Sequence, residues 1–292
     1  MKILLFGKNG QLGQEILLHM VDQKNLVAVS RNDIDLNNVN LVNQFLTDHN
    51  PDIIINAVAC TAVDQAESEP HLAYQINAGF VYSLAKYASE KKCLLIHYST
   101  DYVFDGTKDG FYNETDQPNP LNIYGLSKYQ GELNIAALGC QAIIFRISWL
   151  FSPFRNNFLK TILQLAKLRS HIDVVNDRFG TPTSAALVAA VTRQSINAYI
   201  QRKMPTGIYH LASSGITTWY EFAMYIVEQA IANGIQLNLT SNDIHPVMSQ
   251  AHQNQANRPA NSKFDTSKLS QILSISLPSW QEQVATVVRQ LV

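Results

Sequence analysis

The chain of 292 residues has little charge and almost no excess of either sign. Asp, Glu, Lys and Arg make up 15% of it, and the formal net charge is -1. A protein that binds nucleic acid or an anionic membrane surface usually carries a basic excess, because the phosphates that it meets are negative. The composition therefore predicts no nucleic-acid partner and no membrane partner.

Cysteine is also scarce. The three cysteines, Cys60, Cys93 and Cys140, are far apart and form neither a CxxC pair nor an evident metal-binding pattern. An odd and widely spaced set favours free thiols in a reducing compartment, and it gives no reason to predict a metal site.

Long apolar runs are missing as well. The run Lys2–Phe6 ends at Gly7, and it is shorter than the apolar region of a signal peptide. No stretch of the sequence is long enough to cross a bilayer. We therefore expect a cytoplasmic protein.

What the first half does contain is an alternation of short apolar runs with amphipathic stretches. The predicted strands are Lys2–Phe6, Leu26–Val29, Ile53–Asn56, Leu94–Ser99 and Ala142–Ile147. The predicted helices between them are Gln11–Asp22, Leu41–His49, Ala73–Lys91 and Tyr124–Ala137. The strands are nearly continuous in Ile, Leu and Val, which is typical of parallel strands buried on both faces. We predict an α/β fold of Rossmann type, a doubly wound parallel sheet with right-handed crossovers.

The pattern is looser after about Trp149. The elements predicted there are helices at Asn157–Arg169, Ala185–Gln201 and Trp219–Asn233, a short strand at Gly207–Leu211, and a final helix from near Pro278 that follows a polar stretch, Ser249–Ser262. No flexible linker separates the halves. We predict a first domain over 1–150 and a smaller mixed α/β lobe over 151–292 packed on it, with the chain free to cross between them and a ligand cleft at their junction.

Three glycines follow the first predicted strand and lie around the start of the first predicted helix. Gly7, Gly10 and Gly13 would allow a tight turn and a close approach of the backbone to a pyrophosphate, and the helix N-terminus offers free N–H groups. The alternative is a turn that serves only helix–strand packing. The placement favours a dinucleotide, so 1–150 is predicted to be a NAD(P)-binding domain and 151–292 mainly a substrate-binding lobe.

The end of the second predicted strand bears on which dinucleotide is bound. An acidic residue there would hydrogen-bond the adenosine ribose and favour NAD, but the chain has Ser30 and Arg31. A hydroxyl and a guanidinium suit a ribose 2′-phosphate, so we predict NADPH as the preferred cofactor and NADH as the alternative. Asp33 and Asp35 are near enough in sequence to restore an NAD-like contact.

Tyr124 and Lys128 are four apart in a predicted helix, so their side chains project from the same face. A nearby ammonium favours phenolate and lowers the pKa of a tyrosine, and Thr100, at a strand end, could orient the ring oxygen. Together, Tyr124, Lys128 and Thr100 would transfer a proton to or from a carbonyl or alcohol oxygen. An exposed pair on a helix surface is the alternative, and Tyr102 is a rival acid that lacks a lysine one turn on.

With these features in this order, the chain resembles the extended short-chain dehydrogenase/reductase superfamily, and within it the family of dTDP-4-dehydrorhamnose reductases. The strings that carry the resemblance run from residue 7 to about 262 and are GKNGQLG, NAVACTAVDQAESEP, AYQINA, HYSTDYVFDG, YGLSKYQGE, FRISWLF, DRFGTPT, GIYHLA and RPANS. TAVDQAESEP and STDYVFDG are far more specific than the glycine turn.

The resemblance implies roles for individual residues. The implied cofactor contacts are Gly10, Gln11, Leu12, Asp35, Leu36, Ala59, Cys60, Thr61, Tyr124 and Lys128. The implied substrate contacts are Thr100, Asp101, Trp149 and Arg258. Tyr124 and Lys128 are implied to be catalytic, and Lys128 also to hold the nicotinamide ribose. Trp149 could be core packing, but its position after FRIS at the predicted cleft favours contact with the sugar or the nucleotide. Arg258 falls where a cation could hold a nucleotide diphosphate.

The activity that the resemblance implies is NAD(P)H-dependent reduction of the C4 keto group of dTDP-4-dehydro-L-rhamnose, a nucleotide sugar, in the synthesis of a cell-surface polysaccharide precursor. Two alternatives are a 4-ketoreductase for another nucleotide deoxysugar and a non-catalytic regulatory subunit resembling the methionine adenosyltransferase-associated protein. Some relatives bridge a homodimer with Mg²⁺. Glu15 is present here, but 182–187 has no carboxylate, so a homodimer is left open and no metal is predicted.

Overall fold

A computed structural model of the protein describes residues 1–249 and 256–292. The strands in chain order are β1 Ile3–Phe6, β2 Leu26–Val29, β3 Ile53–Asn56, β4 Leu94–Thr100, β5 Ala142–Ile147, β6 Leu150–Phe151, β7 Ile172–Val175, β8 Phe179–Gly180, β9 Thr183–Ser184, β10 Gly207–Leu211, β11 Thr217–Thr218 and β12 Ile244–Val247. The α-helices are α1 Gln11–His19, α2 Val39–His49, α3 Val63–Ser68, α4 Pro70–Tyr74, α5 Val81–Lys91, α6 Ile123–Ala137, α7 Phe158–Leu168, α8 Ala185–Ile200, α9 Trp219–Ala232, α10 Ser267–Leu273 and α11 Trp280–Arg289.

The centre of the molecule is a parallel sheet with the strand order β2-β1-β3-β4-β5-β10. The chain moves outward in one direction from β1 to β2 and in the other from β3 to β4 and β5. The order therefore reverses between β1 and β3, and the crevice at the carboxyl ends of these strands is where ligands bind in open α/β sheets.

Helices cover both faces of this sheet, as the apolar strands require. Residues of α1, α8 and α10 pack on one face, and residues of α2, α5 and α6 pack on the other. The predicted Rossmann-type α/β fold is confirmed. β10 and α8 follow residue 150 in the chain yet belong to this sheet and its cover, while the functional division into 1–150 and 151–292 stays a prediction.

A smaller mixed α/β lobe has its own apolar core. That core takes side chains from α7, α9 and α11 and from β7 and β12, which pair in parallel. Two further short pairs, β6 with β9 and β8 with β11, lie between residues 150 and 218. The lobe gathers elements that are far apart in sequence, because each of its helices buries one apolar stripe against the others.

The boundaries of the predicted elements agree with the structure to within three residues, with one exception. The predicted helix over 73–91 is a succession of α4, a π-helical segment Gln75–Phe80, and α5. The string TAVDQAESEP, residues 61–70, where no element was predicted, contains α3. Of the polar stretch 249–262, residues 250–255 lie outside the described residues.

In the described ranges, 1–249 and 256–292, no helix combines the length and the apolar character that crossing a membrane requires.

Candidate active site

A cavity of about 430 Å³ opens at the carboxyl ends of β1, β3 and β4, where the strand order reverses. The predicted residues that line it are Gly10, Gln11, Leu12, Ala59, Thr61, Thr100, Asp101, Tyr124, Lys128 and Trp149. The predicted residues outside its lining are Gly7, Gly13, Ser30, Arg31, Asp35, Leu36, Cys60 and Arg258. The fold thus brings residues from position 10 to position 149 together around one space.

The turn between β1 and α1 is tight enough to require glycine. Gly7 has a φ of 94°, and a Cβ on it would lie 2.8 Å from the Ala57 carbonyl carbon. A Cβ on Gly13 would lie 2.0 Å from the Gly7 oxygen. Gly10 is the N-cap of α1 and has no side chain to cap the first N–H groups, which remain available to an anion. The turn fits the pyrophosphate of a dinucleotide.

At the end of β2, an aspartate approaches the residues predicted to read the 2′-phosphate. The Ser30 hydroxyl donates to Asp33 Oδ2 at 2.7 Å, and Lys8 Nζ lies 2.9 Å from the same oxygen. These hydrogen bonds, first that from Ser30, lower the pKa of Asp33 to about 2. Arg31 is exposed. A carboxylate, Asp33, and two cations, Lys8 and Arg31, therefore lie at the end of β2, where the adenosine ribose is predicted to bind. The carboxylate suits the ribose hydroxyls of NADH, and the cations suit the 2′-phosphate of NADPH.

Asp35 and Leu36 lie apart from the cavity. Asp35 is exposed and accepts a hydrogen bond from the Asn37 N–H at 3.0 Å. Leu36 is buried in the core between the sheet and its covering helices. Their predicted contact with the cofactor stays a prediction.

Tyr124 lies at the first turn of α6, and its hydroxyl is hydrogen-bonded to the Thr100 side chain. Tyr102 packs edge-on against it with ring centroids 5.5 Å apart, but the Tyr102 hydroxyl is hydrogen-bonded to Arg258 instead. The two tyrosines thus present their hydroxyls to different partners, and the one that meets the strand-end threonine is Tyr124.

Lys128 is buried, and its ammonium points into the sheet. Nζ donates to the Tyr98 carbonyl oxygen at 2.6 Å and lies 3.5 Å from His97 Nε2. Burial lowers the pKa of Lys128 to about 8, and the nearby Glu132 carboxylate opposes that shift. The expected lowering of the Tyr124 pKa by Lys128 does not appear in the protein alone, because burial raises that pKa against the hydrogen bond from Thr100.

Asp101 follows Thr100 and is also buried. Its Oδ1 accepts from the Thr100 hydroxyl at 3.1 Å, and its Oδ2 accepts from the Ser262 hydroxyl. Burial raises the pKa of Asp101 to about 6, while both hydrogen bonds act in the opposite direction. Asp101 therefore joins the strand end to the RPANS segment near the other end of the chain.

Residues that the sequence analysis did not single out hold α6 in place. Glu67 accepts from the Ile123 N–H at 2.7 Å, so α3 caps the start of α6. The Asn77 amide donates to the Ser127 hydroxyl at 3.0 Å and bonds both the N–H and the carbonyl of Cys60. The string TAVDQAESEP, which contains Glu67, thus helps to position α6. Asn77 lies in the string AYQINA, which was the one signal that could have pointed to it.

A second cavity, of about 780 Å³, adjoins the first and shares two aromatic residues, Phe158 and Trp219, with it. Trp149 packs against Trp219 with ring centroids 4.5 Å apart. Its φ is 46°, a strained value for a tryptophan, and Gly180 leaves room for its indole ring. Aromatic rings in such a wall suit the apolar faces of a sugar or a base.

Arg258 lines the second cavity. One of its terminal nitrogens lies 2.6 Å from Asp64 Oδ2, and its hydrogen bond to Tyr102 ties it to the strand end after β4. A guanidinium held at the junction of two cavities is well placed for an anionic group that extends from one into the other.

The residues present do not fit a magnesium site. The Glu15 carboxylate is buried and lies 3.8 Å from His19 Nδ1, and burial raises the pKa of Glu15. No group of three or more His, Cys, Asp or Glu side chains capable of holding a metal ion occurs within residues 1–249 and 256–292.

A doubly wound parallel sheet with a glycine turn at its switch point, and a Tyr-x-x-x-Lys pair beside a strand-end threonine, defines a class: the extended short-chain dehydrogenases/reductases. The comparisons with known proteins narrow it. Residues 1–292 match the family model described as the RmlD substrate binding domain, so the chain belongs to that family. The dTDP-4-dehydrorhamnose reductase of Escherichia coli K12 is 42% identical over 295 residues, which cover 100% of this chain and 98% of that protein.

Solved structures agree with this assignment. The dTDP-4-dehydrorhamnose reductase of Bacillus anthracis, in complex with NADP, superposes with a TM-score of 0.89 at 34% identity, over 99% of this chain and 100% of that chain. The ortholog from Clostridium acetobutylicum superposes with a TM-score of 0.90 at 32% identity, over 100% and 99% of the two chains. The resemblance drawn from the sequence is confirmed.

Proposed function

We propose that the protein uses NADPH, or less efficiently NADH, to reduce the C4 keto group of dTDP-4-dehydro-L-rhamnose to an alcohol. The observation that carries this proposal is the meeting of Tyr124, Thr100 and Lys128 at one edge of the sheet, beside a glycine turn that fits a pyrophosphate. Full-length relatives named dTDP-4-dehydrorhamnose reductase support the choice of substrate.

The chain's own residues act on the substrate oxygen. Tyr124 donates its phenolic proton to that oxygen as negative charge develops there, and the Thr100 hydroxyl orients the carbonyl. Donors fixed in advance around a developing oxyanion stabilise the transition state more than the ground state. Because the pKa of Tyr124 is raised in the protein alone, the phenol stays protonated until a substrate oxygen accepts its proton.

Several residues would hold the dinucleotide. The N–H groups at the start of α1 face the cavity and suit its pyrophosphate, Lys128 suits the nicotinamide ribose, and Ser30, Arg31 and Lys8 suit a 2′-phosphate. When bound, the dihydronicotinamide supplies the hydride. The second cavity, with its aromatic wall and Arg258, suits the nucleotide part of the substrate.

The activity is tested by following NADPH oxidation on addition of dTDP-4-dehydro-L-rhamnose and identifying the sugar product. We expect turnover with dTDP-L-rhamnose as the product. A higher kcat/KM with another dTDP-4-keto-6-deoxysugar would instead favour the alternative reductase. Binding of NADPH and of the nucleotide sugar without any turnover would favour the non-catalytic regulatory subunit.

The cofactor preference is tested with Arg31→Ala. A charge-assisted contact to the 2′-phosphate contributes about 1.5–3 kcal/mol, so the KM for NADPH should rise about ten- to a hundredfold while the KM for NADH stays nearly unchanged. Arg202→Ala, at an exposed arginine just after α8, is the matched control and should change neither value. Equal effects of Arg31→Ala on both cofactors would show that Arg31 does not read the phosphate. A wild-type preference for NADH would point to Asp33 or Asp35.

We also infer action in the cytoplasm, which suits three free cysteines. Fractionation of the producing cells checks this inference. A homodimer, if one forms, is proposed to form without a metal bridge, so its mass by analytical ultracentrifugation should not change when EDTA is added.

A further inference from the structure

His97 has no part in the mechanism proposed above, yet its side chain lies next to that of Lys128. His97 is on β4 with no exposed surface, and its register partner on β3 is Asn56, which is also buried. The two side chains meet at 3.1 Å, between Asn56 Nδ2 and His97 Nδ1. On the other side of the ring, His97 Nε2 lies 3.5 Å from Lys128 Nζ. A continuous contact therefore runs from Asn56 through the imidazole to the lysine.

The orientation of the Asn56 amide decides the tautomer of His97. Asn56 Oδ1 accepts a hydrogen bond from the Val58 N–H at 3.1 Å, so the amide group that faces the imidazole is the NH2. An NH2 only donates, and Nδ1 must therefore present its lone pair. The ring is neutral, because burial holds the pKa of His97 well below its ordinary value. A neutral imidazole with a bare Nδ1 carries its proton on Nε2.

We propose that His97 is a positioning residue for Lys128: Asn56 sets its tautomer so that an Nε2–H donor faces Nζ, and this donor favours the neutral amine of the unliganded enzyme. An ammonium has only donors and meets an N–H unfavourably, whereas an amine can accept from Nε2–H and still donate to the Tyr98 carbonyl. Lys128 then becomes fully protonated when a ligand or a phenolate in the cavity stabilises the ammonium.

The other groups near Lys128 are consistent with this arrangement. Within the described residues, His97 from β4 and Glu132 from α6 itself interact with Lys128, and the titratable side chains of Tyr124 and Asp101 line the same cavity. The Glu132 carboxylate also accepts two hydrogen bonds from Arg146 on β5, at 3.0 and 2.6 Å. Its electrostatic attraction for the Lys128 ammonium is therefore partly offset by the guanidinium. The pKa of Lys128, lowered to about 8, leaves the amine and the ammonium both accessible near neutral pH.

The tautomer is measured directly in the wild-type protein, by long-range ¹⁵N–¹H correlation spectra of the histidine rings. His210 is the internal control, because it is buried and neutral like His97 but has the opposite environment. Its Nδ1 lies 3.0 Å from the Tyr112 carbonyl oxygen, so the proton must be on Nδ1 there. We expect Nε2–H for His97 and Nδ1–H for His210, with His97→Gln and His210→Gln used to assign the signals. A proton on Nδ1 of His97 would overturn the proposal.

The consequence for the enzyme rests on the proposed function and is tested by the pH profile of kcat/KM for NADPH. Asn56→Asp replaces the NH2 donor by an acceptor, so His97 should place its proton on Nδ1 and offer Nε2 to the ammonium. The alkaline limb of the profile should then move up by about one pH unit, the shift that corresponds to about 1.4 kcal/mol.

A double-mutant comparison separates the imidazole from the added charge. The same Asn56→Asp change in a His97→Leu chain should leave the alkaline limb where His97→Leu alone puts it. An equal shift in both backgrounds would show that the carboxylate acts directly and that His97 positions nothing. If the wild-type chain shows no turnover at any pH, the proposed function fails, while the spectra still decide the tautomer.

Discussion

The two faces of the central sheet are both buried, yet they differ in chemistry where β4, β5 and β10 lie side by side. The face toward α8 is apolar apart from two tyrosine hydroxyls, with the side chains of Leu94, Ile96, Tyr98, Ile143, Phe145, Ile147, Tyr209 and Leu211. The face toward α6 turns polar near the carboxyl ends of the strands, with His97, Ser99, Arg146 and His210, all buried. The sheet thus has an apolar core on one face and a group of buried polar side chains on the other.

The difference follows from what each face supports. A buried polar group costs free energy unless it is hydrogen-bonded, so such groups persist only where they have partners. Two of these four residues have their partners on α6, since Arg146 bonds Glu132 and His97 contacts Lys128, while His210 Nδ1 faces the Tyr112 carbonyl oxygen. α6 is also the helix that carries Tyr124. The polar face therefore fixes the helix that holds the candidate catalytic pair, and the apolar face supplies packing.

The largest expected effect comes from removing one hydroxyl on the α6 side. Tyr124→Phe should lower kcat by about 10²–10⁴-fold, the usual contribution of a general acid, with the Kd for NADPH nearly unchanged. Tyr98→Phe deletes a hydroxyl on the opposite face, where it bonds Thr192 at 2.9 Å, and should reduce stability with little effect on kcat. Steady-state kinetics and cofactor titration measure both. A near-normal kcat for Tyr124→Phe together with its loss in Tyr102→Phe would show that we chose the wrong acid.

The next effect concerns stability. Arg146→Met leaves the Glu132 carboxylate buried without its partner and should lower the free energy of unfolding by about 3–5 kcal/mol. Ile143→Val, on the opposite face of the same strand, should cost only about 0.5–1.5 kcal/mol. Replacing both members, as Arg146→Met with Glu132→Leu, should recover much of the loss. Denaturant unfolding measures all four chains, and an Arg146→Met cost no larger than that of Ile143→Val would remove the distinction between the faces.

The smallest effect is a pH dependence at the end of β4. The pKa of Asp101 is raised by burial to about 6, above the ordinary value of about 3.9 that applies to the unfolded chain. Between these values the folded state binds more protons, so the free energy of unfolding should fall by about 1–3 kcal/mol as the pH rises from about 4 to 6. Asp101→Asn should flatten this slope in unfolding curves measured across that window.

Asp105, four residues on, provides the contrast of opposite sign. Hydrogen bonds, first that from the Thr107 N–H, lower its pKa to about 2. Its stabilising contribution is therefore present above about pH 4 and is lost as the pH falls toward 2. An unchanged slope between pH 4 and 6 in Asp101→Asn would show that burial does not govern the Asp101 carboxyl.

The sequence predicted the first half of the fold almost residue by residue. β2, β3 and β5 begin and end where the apolar runs do, because a strand buried on both faces must be apolar throughout. The helix α3 was missed, since its surface is polar and its contacts are made with α6 and with Arg258 rather than with a core. Asn56, Asn77 and His97 were missed as site residues, because a polar residue within a strand or a helix carries no sign of its partner.

What the sequence by itself determined is the alternation of strand and helix, the glycine turn after β1, and the spacing that puts Tyr124 and Lys128 on one helical face. These follow from local sterics and from the periods of helix and strand, which neighbouring residues alone decide. Only the tertiary structure decided which distant groups meet: Asp64 with Arg258, Arg146 with Glu132, and His97 with both Asn56 and Lys128. Burial at those meetings then sets the charge and the tautomer of each group, because desolvation and the hydrogen-bond partners act only in the assembled core.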